Sequence, residues 1–535
     1  MANQTHSMLP FPANYRAAGV LLHITSLPSP YGIGDLGLPA LTWVDRIAEA
    51  GQSWWQALPF GPTGYGDSPY QALSSFAGNG LLISPERLLA DGLLPARACE
   101  GRSFPSNFVD YSAVIQFKQD LLDQAWENFT TSAHQEFRSA YEQFCHEQMH
   151  WLEDYAFFRA LKQKYRGASY LTWPRELVRR TPAALTRARN ELSNQIDKIR
   201  FAQFLIFRQA RDLKDHAHAK GVGLIGDLPF FVSPDSSDVW AHPELFLLDE
   251  KCHPRFVAGV PPDYFAADGQ LWGNPVYDWD ALRNTGFRFY IDRLHALFAH
   301  VDVIRLDHFR AFAAAWHIPA EAQTARTGHW VPGPGREFFE AAQKEFGSLR
   351  FIAEDLGLIT PDVCALRDEF HIPGTKVLQF AFDGSSDNPH LPENYAANTV
   401  VYTGTHDNDT TRGWFESLPE NGQRRVWNYL NRSNGDSTEI AAELLRLAWS
   451  SVAALAFAPL QDLLNLGSEA RMNTPGSSGA QWRWRFTEEM TDPSVFDRLG
   501  TLTAASNRFR LPCSLPAWKW FEQQSERRSG PDLRL

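Results

Sequence analysis

The chain has 535 residues, 44% hydrophobic and 21% charged, with a formal net charge of −12. This balance suits a folded protein with a large core and excludes a surface built to neutralise phosphates, so no nucleic-acid partner is expected. Five scattered cysteines (Cys99, Cys145, Cys252, Cys364, Cys513), no secretory leader in residues 1–14 and no apolar stretch of membrane-spanning length point to a reduced cytoplasm without metal, disulfide framework or membrane contact.

Short apolar runs rich in β-branched and aromatic residues recur along the chain at 20–24, 54–58, 222–226, 301–306, 350–353, 376–380, 399–403 and 452–457. Most are followed by a Gly, Pro or Asp loop and then a helical pattern, which reads as buried parallel strands with crossover helices. Eight such runs predict an α/β fold, a (β/α)8 TIM barrel, and a single catalytic unit over 1–535. No glycine fingerprint for a nucleotide opens a helix. The interval 85–220, between the second and third runs, is too long for one crossover. It holds amphipathic patterns at 117–128, 134–165 and 190–219, and is read as a helical insertion. Trp151, Tyr155, Phe158 and Leu161 sit at helical spacing and are expected to be helix–helix core. A second insertion, 230–280, reads as loop-rich and lies over the cleft.

Four strand ends carry acids: Gly226-Asp227-Leu228-Pro229, Val303-Ile304-Arg305-Leu306-Asp307-His308-Phe309-Arg310, Phe351-Ile352-Ala353-Glu354-Asp355 and Gly404-Thr405-His406-Asp407-Asn408-Asp409-Thr410. In a barrel all carboxyl ends of the strands meet at one mouth, and converging carboxylates are what glycosidic-bond chemistry needs. Arg305 and Asp307 are two apart and share a face, so the guanidinium keeps Asp307 ionised, either for nucleophilic attack or as an interior ion pair. Glu354 has apolar walls and a neighbouring acid that raise its pKa, as a general acid requires; the local sequence equally allows Glu354 or Asp355 to cap a helix. Asp407 reads as a grip on sugar hydroxyls or as part of a polar, capped turn.

These strings, together with His23-Ile24-Thr25-Ser26-Leu27-Pro28, Gly61-Pro62-Thr63-Gly64-Tyr65-Gly66-Asp67-Ser68-Pro69-Tyr70-Gln71, Gly259-Val260-Pro261-Pro262-Asp263-Tyr264, Gln270-Leu271-Trp272-Gly273-Asn274-Pro275 and Arg471-Met472-Asn473-Thr474-Pro475-Gly476, closely resemble the amylomaltases. These are 4-alpha-glucanotransferases (disproportionating enzymes) related to the alpha-amylase clan. The resemblance implies transfer of α-1,4-glucan segments between maltooligosaccharides by a retaining double displacement, with no cofactor. It assigns Asp307 as nucleophile, Glu354 as acid/base and Asp407 as transition-state stabiliser. Arg305, His406 and Asp227 would hold the nucleophile and the sugar, and Tyr65 would stack beneath that sugar. Asp263, Gln270 and Trp272 would belong to a covering loop, and Ser68, Tyr70 and Asn473 to the surrounding subsites.

The chain departs from the family pattern at three places: Ala311 replaces a usual glycine, His317 stands where an acid is common, and Ile24 follows His23 in place of proline. None removes a catalytic group. An α-glucan hydrolase of the same clan and a silent glucan-binding protein are the competing readings, because three acids serve transfer and hydrolysis alike. Oligomeric state is not legible.

Overall fold

The computed structural model describes residues 11, 14–131, 135–262, 267–477 and 479–508, apart from the side chains of Tyr65 and Gln135. Its strands are β1 (Ala17–Leu21), β2 (Trp54–Gln56), β3 (Gly223–Leu228), β4 (Phe256–Val260), β5 (Gln270–Pro275), β6 (Val303–Leu306), β7 (Ala314–Pro319), β8 (His329–Pro332), β9 (Phe351–Ala353), β10 (Gly374–Val377), β11 (Thr399–Tyr402) and β12 (Leu455–Pro459). Eight of them close a barrel in the order β1-β12-β11-β10-β9-β6-β3-β2. Every pairing around it is parallel. The expected TIM barrel is present.

Side chains alternate along each strand, and the alternation builds the site. Ile225, Val303, Ile352, Val400, Tyr402, Leu455, Phe457 and Trp54 form one buried cluster inside the barrel. Two residues further along the same strands, the inward positions become Asp227, Arg305 and Glu354, so polar groups cap an apolar plug. Register enforces the level: Ile225 pairs with Val303 and Asp227 with Arg305. Bulk inside the barrel is matched by absence of bulk beside it. A Cβ on Gly19 would lie 2.4 Å from the Phe457 ring, and one on Gly223 would lie 2.5 Å from Trp54. The other face of the strands packs on the surrounding helices in a second, larger core.

Three of the strand ends that differ from expectation show the cause. β1 begins earlier and stops at Leu21, because β12 pairs with Ala17–Leu21 and Ile24–Ser26 turns into a 3-10 helix. The run at 376–380 likewise ends as a strand at Val377 and turns through Leu378–Phe380. At 452–457 the strand starts at Leu455, and Val452 is exposed. Apolar content marks burial but not the residue at which a buried strand becomes a buried turn.

Between β2 and β3 lie long helices at Tyr111–Thr131, Gln135–Glu147, Met149–Lys164 and Ser193–Lys220. The run expected at 134–165 is two helices, parted at Gln148, whose side chain accepts from Trp151 Nε1 at 2.9 Å. Trp151, Tyr155, Phe158 and Leu161 are all buried against neighbouring helices. Gly221, at φ 83°, closes the last helix in the left-handed conformation and turns the chain into β3.

The interval 230–280 contains β4 and β5. They join β7 and β8 in an antiparallel sheet of order β5-β4-β7-β8. Two of its strands come from beyond the next barrel strand, so no local alternation could announce it, and Gly259 and Gly273 obscure the pattern further. This sheet packs beside the barrel mouth, where Trp272 of β5 meets His308 just past the end of β6. No helix among the described residues is long and apolar enough to cross a membrane.

Candidate active site

The deepest part of the site is an ion-paired chain across β3 and β6. Arg305 Nη1 donates to Asp227 Oδ1 at 2.8 Å, to Asp227 Oδ2 at 2.7 Å and to Asp307 Oδ1 at 3.1 Å. Tyr70 Oη donates to Asp227 Oδ2 at 2.8 Å. Asp227 has no exposed side-chain surface, whereas Asp307 is 28% exposed, so the chain leads from a sealed carboxylate to one that meets the cleft. Burial pulls the Arg305 guanidinium down, but Asp227 and Asp307 more than restore it, and it stays charged.

Glu354 faces Asp307 from the next strand. β6 and β9 pair through Leu306 and Ala353, and the ladder continues as Glu354 N–H donates to Leu306 C=O at 3.1 Å. Its carboxylate is held by two backbone donors: His308 N–H to Oε2 at 2.8 Å and Leu356 N–H to Oε1 at 3.1 Å. Asp355 points away; it accepts from Thr375 N–H at 2.7 Å and pairs with Arg367. The ambiguity between these adjacent acids is therefore resolved, with Glu354 in the cleft and Asp355 fastening β10 to a helix. Burial pushes Glu354 up to about 8, with Arg305 opposing and Asp307 adding to the rise. Burial also pushes Asp307 up, to about 7, against the pull of Arg305. Arg305 is hydrogen-bonded to Asp307 and not to Glu354, which biases the charge toward Asp307.

The third acid arrives on the loop after β11. Asp407 accepts from Asn473 Nδ2 at 2.6 Å, and His406 Nε2 lies 3.4 Å from the same oxygen. Arg471 donates from Nη2 to Asp407 C=O at 2.6 Å and from Nε to Asn473 C=O at 2.7 Å. The polar-turn reading of this stretch also holds: Asn408 accepts from Thr405, and Thr410 caps the helix Thr411–Ser417. Asp407 takes neither job and is 47% exposed to the cleft. His406 stacks on Tyr70, with ring centroids 5.1 Å apart and planes 15° apart, and Trp482 abuts both rings. Burial lowers the His406 pKa, so the ring is neutral.

On the appended sheet, Trp272 Nε1 donates to Gln270 Oε1 at 3.0 Å, and the indole meets His308 edge-on at 4.8 Å. His308 sits at φ 49°, a left-handed conformation that its N–H bond to Glu354 helps to hold. Ser68 Oγ accepts from Tyr70 N–H at 3.2 Å and shapes the turn that presents Tyr70. Gln71 reaches Asn274 of β5 at 3.4 Å, linking this turn to the sheet. Asp263 and the side chain of Tyr65 lie outside the described residues. Among the described residues, Tyr70 places an aromatic ring beside these acids through its bond to Asp227.

The structure thus brings Tyr70, Asp227, Arg305, Asp307, Glu354, His406, Asp407 and Asn473 into one contact network, with Ser68, Gln270 and Trp272 at its edges. Trp482, Arg471 and His308 belong to the same network and were not singled out by sequence. His308 could have been found, since it follows Asp307. Arg471 opens the string that carries Asn473, but its bond to Asp407 C=O, like the contact of Trp482 with Tyr70 and His406, is seen only in the folded chain.

Comparison with known proteins shows the family. A family model described as 4-alpha-glucanotransferase matches residues 22–491. A 4-alpha-glucanotransferase from Synechocystis is 47% identical over 497 residues, covering 92% of this chain and 98% of that protein. One from Thermus thermophilus is 47% identical over 498 residues, covering 92% and 99%. Among solved structures, an amylomaltase from Streptococcus agalactiae in complex with acarbose superposes with a TM-score of 0.89 at 37% identity, covering 92% of this chain and all of that one. This chain belongs to the 4-alpha-glucanotransferase family.

Proposed function

We propose that this chain transfers α-1,4-glucan segments between maltooligosaccharides, which serve as donor and acceptor, by double displacement with retention. The observation that carries the chemistry is the pairing of Asp307 and Glu354. They stand level at the ends of β6 and β9, one hydrogen-bonded to a guanidinium and the other to two backbone amides. Adjacent strands are about 4.8 Å apart, which suits the roughly 5–5.5 Å carboxyl separation of retaining enzymes.

In the first step the protonated Glu354 gives its proton to the glycosidic oxygen as the bond from that oxygen to C1 breaks. A carboxylate oxygen of Asp307 bonds to C1. In the second step the acceptor 4-hydroxyl gives its proton to Glu354, its oxygen bonds to C1, and the Asp307–C1 bond breaks. Two inversions give retention, and Glu354 ends protonated as it began. Asp407, steadied by Asn473 and Arg471, grips sugar hydroxyls and favours the flattened ring of the transition state. Tyr70, fixed by Asp227 and His406, offers a ring face to that sugar. By the family resemblance, Asp263, Gln270 and Trp272 would belong to a loop closing over bound glucan, Tyr65 would stack beneath the sugar at the cleavage point, and Ser68 would line a neighbouring subsite. A reduced, cytoplasmic setting accompanies this reading.

Incubation with pure maltotriose tests the function. Transfer yields glucose together with maltooligosaccharides longer than the substrate. Glucose and maltose alone, with no longer product, would make the chain a hydrolase.

A further inference from the structure

Both amides that hold the Glu354 carboxylate lie on segments cross-linked by one side chain. His308, the donor to Oε2, is two residues before Arg310. Leu356, the donor to Oε1, is on the 354–360 loop. From the first segment, Arg310 Nη1 donates to Leu358 C=O at 2.8 Å and to Thr360 Oγ1 at 3.0 Å on the second. Arg310 is 6% exposed and has no ion pair among the described residues. Its guanidinium instead lies over the ring of Trp330, 3.7 Å from the centroid. Trp330 belongs to β8 of the appended sheet. It sits opposite Trp316 in register, with ring centroids 5.1 Å apart, and Trp316 Nε1 is tied to Ala325 C=O at 2.8 Å. The indole is thus a fixed platform, and its ring face attracts the desolvated cation above it.

We propose that Arg310, seated on Trp330, is a positioning residue for Glu354, and that the appended sheet sets the aim of the proton-transfer group through this contact. The inference rests on the reading of Glu354 as acid/base. The geometry gives the strut its purpose. If the 354–360 loop drifts from the segment after β6, the two amides no longer converge on one carboxylate. The acid then swings away from the glycosidic oxygen while Asp307, held separately by Arg305, keeps its place. The defect is therefore confined to proton transfer.

The test uses leaving-group dependence in the full chain. Trp330→Ala, Trp330→Phe, Arg310→Met and Glu354→Gln are assayed on maltotriose and on an α-maltosyl fluoride, whose departing fluoride needs little protonation. The readout for the second donor is the first-turnover burst of fluoride. Trp330→Ala should lose about ten-fold in kcat on maltotriose and Arg310→Met about a hundred-fold, both keeping the fluoride burst within about two-fold of the parent. Trp330→Phe, which keeps a ring face, should recover most of the maltotriose rate. Equal losses on both donors, or no loss in a folded Trp330→Ala protein, would overturn the strut while Glu354→Gln still showed the donor-selective pattern. Equal losses in Glu354→Gln itself would remove the acid/base reading, and the strut with it. Trp330 is half-buried on a surface sheet, so its variants decide the matter even if Arg310→Met does not fold.

Discussion

Asp307 and Glu354 end neighbouring strands at the same height, yet the protein grips them differently. Asp307 is held by charge: Arg305 bridges it to the sealed Asp227, and Tyr70 completes the set. All of that machinery projects from barrel strands or rests on them. Glu354 is held by two backbone amides, from the turn after β6 and from its own loop, and that loop leans on the appended sheet through Arg310 and Trp330. A buried guanidinium stabilises a negative charge at its neighbour. Two amides without a cation in contact orient a carboxyl while leaving burial to favour its neutral form. Contact with the cation opposes the rise that burial causes at Asp307, whereas at Glu354 burial acts with no cation in hydrogen-bond contact.

The largest effect should follow from removing the charge on the first side. Asp307→Asn keeps the shape of the side chain, so folding should persist while transfer falls by at least about four orders of magnitude. Thermal melting and maltotriose turnover together check this. A folded Asn variant with near-parental turnover would dissolve the distinction between the two sides.

The pH profile sharpens the comparison. Attack needs Asp307 ionised, so activity is lost as pH falls through about 7; donation needs Glu354 protonated, so activity is lost as pH rises through about 8. The kcat/KM profile should be a narrow bell between these limbs. Arg305→Met removes the cation in contact with Asp307, and should move the acid limb upward by about one to three pH units. The alkaline limb should move less, because Arg305 touches only Asp307 of the two. Leaving Asp227 buried without its partner should also cost about 3–5 kcal/mol of stability, which denaturant melts would register. Limbs that move equally would mean the guanidinium serves both acids alike.

The difference between the two sides also explains what could be read in advance. Arg305 and Asp307 lie two apart on one strand, and strand alternation alone places them on one face. Glu354 and Asp355 are adjacent, so alternation says only that they point apart; which one enters the cleft is decided by Thr375 and Arg367, remote in sequence. All eight barrel runs were legible from apolar content, but their ends were not, since Leu378 and Ile24 are buried in turns as fully as in strands. The sheet of β4, β5, β7 and β8 stayed hidden because its partners lie on either side of β6. For the same reason the Arg310–Trp330 contact, Trp482 under Tyr70 and His406, and Arg471 behind Asp407 leave no local signature.

The smallest effect concerns the rim. Trp272 of β5 meets His308 edge-on, and on the proposed mechanism it would offer an apolar face to an incoming sugar and shield the intermediate from water. Trp272→Ala should leave total turnover within about ten-fold while shifting products from longer maltooligosaccharides toward hydrolysis. The ratio of transfer to hydrolysis on maltotriose measures it. An unchanged ratio with lower turnover would reduce the indole to general support of binding.

The central claim, a covalent intermediate on the charge-held acid, is tested most directly by trapping it. In Glu354→Gln the intermediate forms from a maltosyl fluoride, but the acceptor is poorly deprotonated, so the glycosyl-enzyme accumulates. Mass spectrometry of the digested protein should find one maltosyl adduct, on the peptide carrying Asp307. An adduct on Asp407, Asp227 or any other residue, or turnover with inversion at C1 and no adduct, would contradict the account.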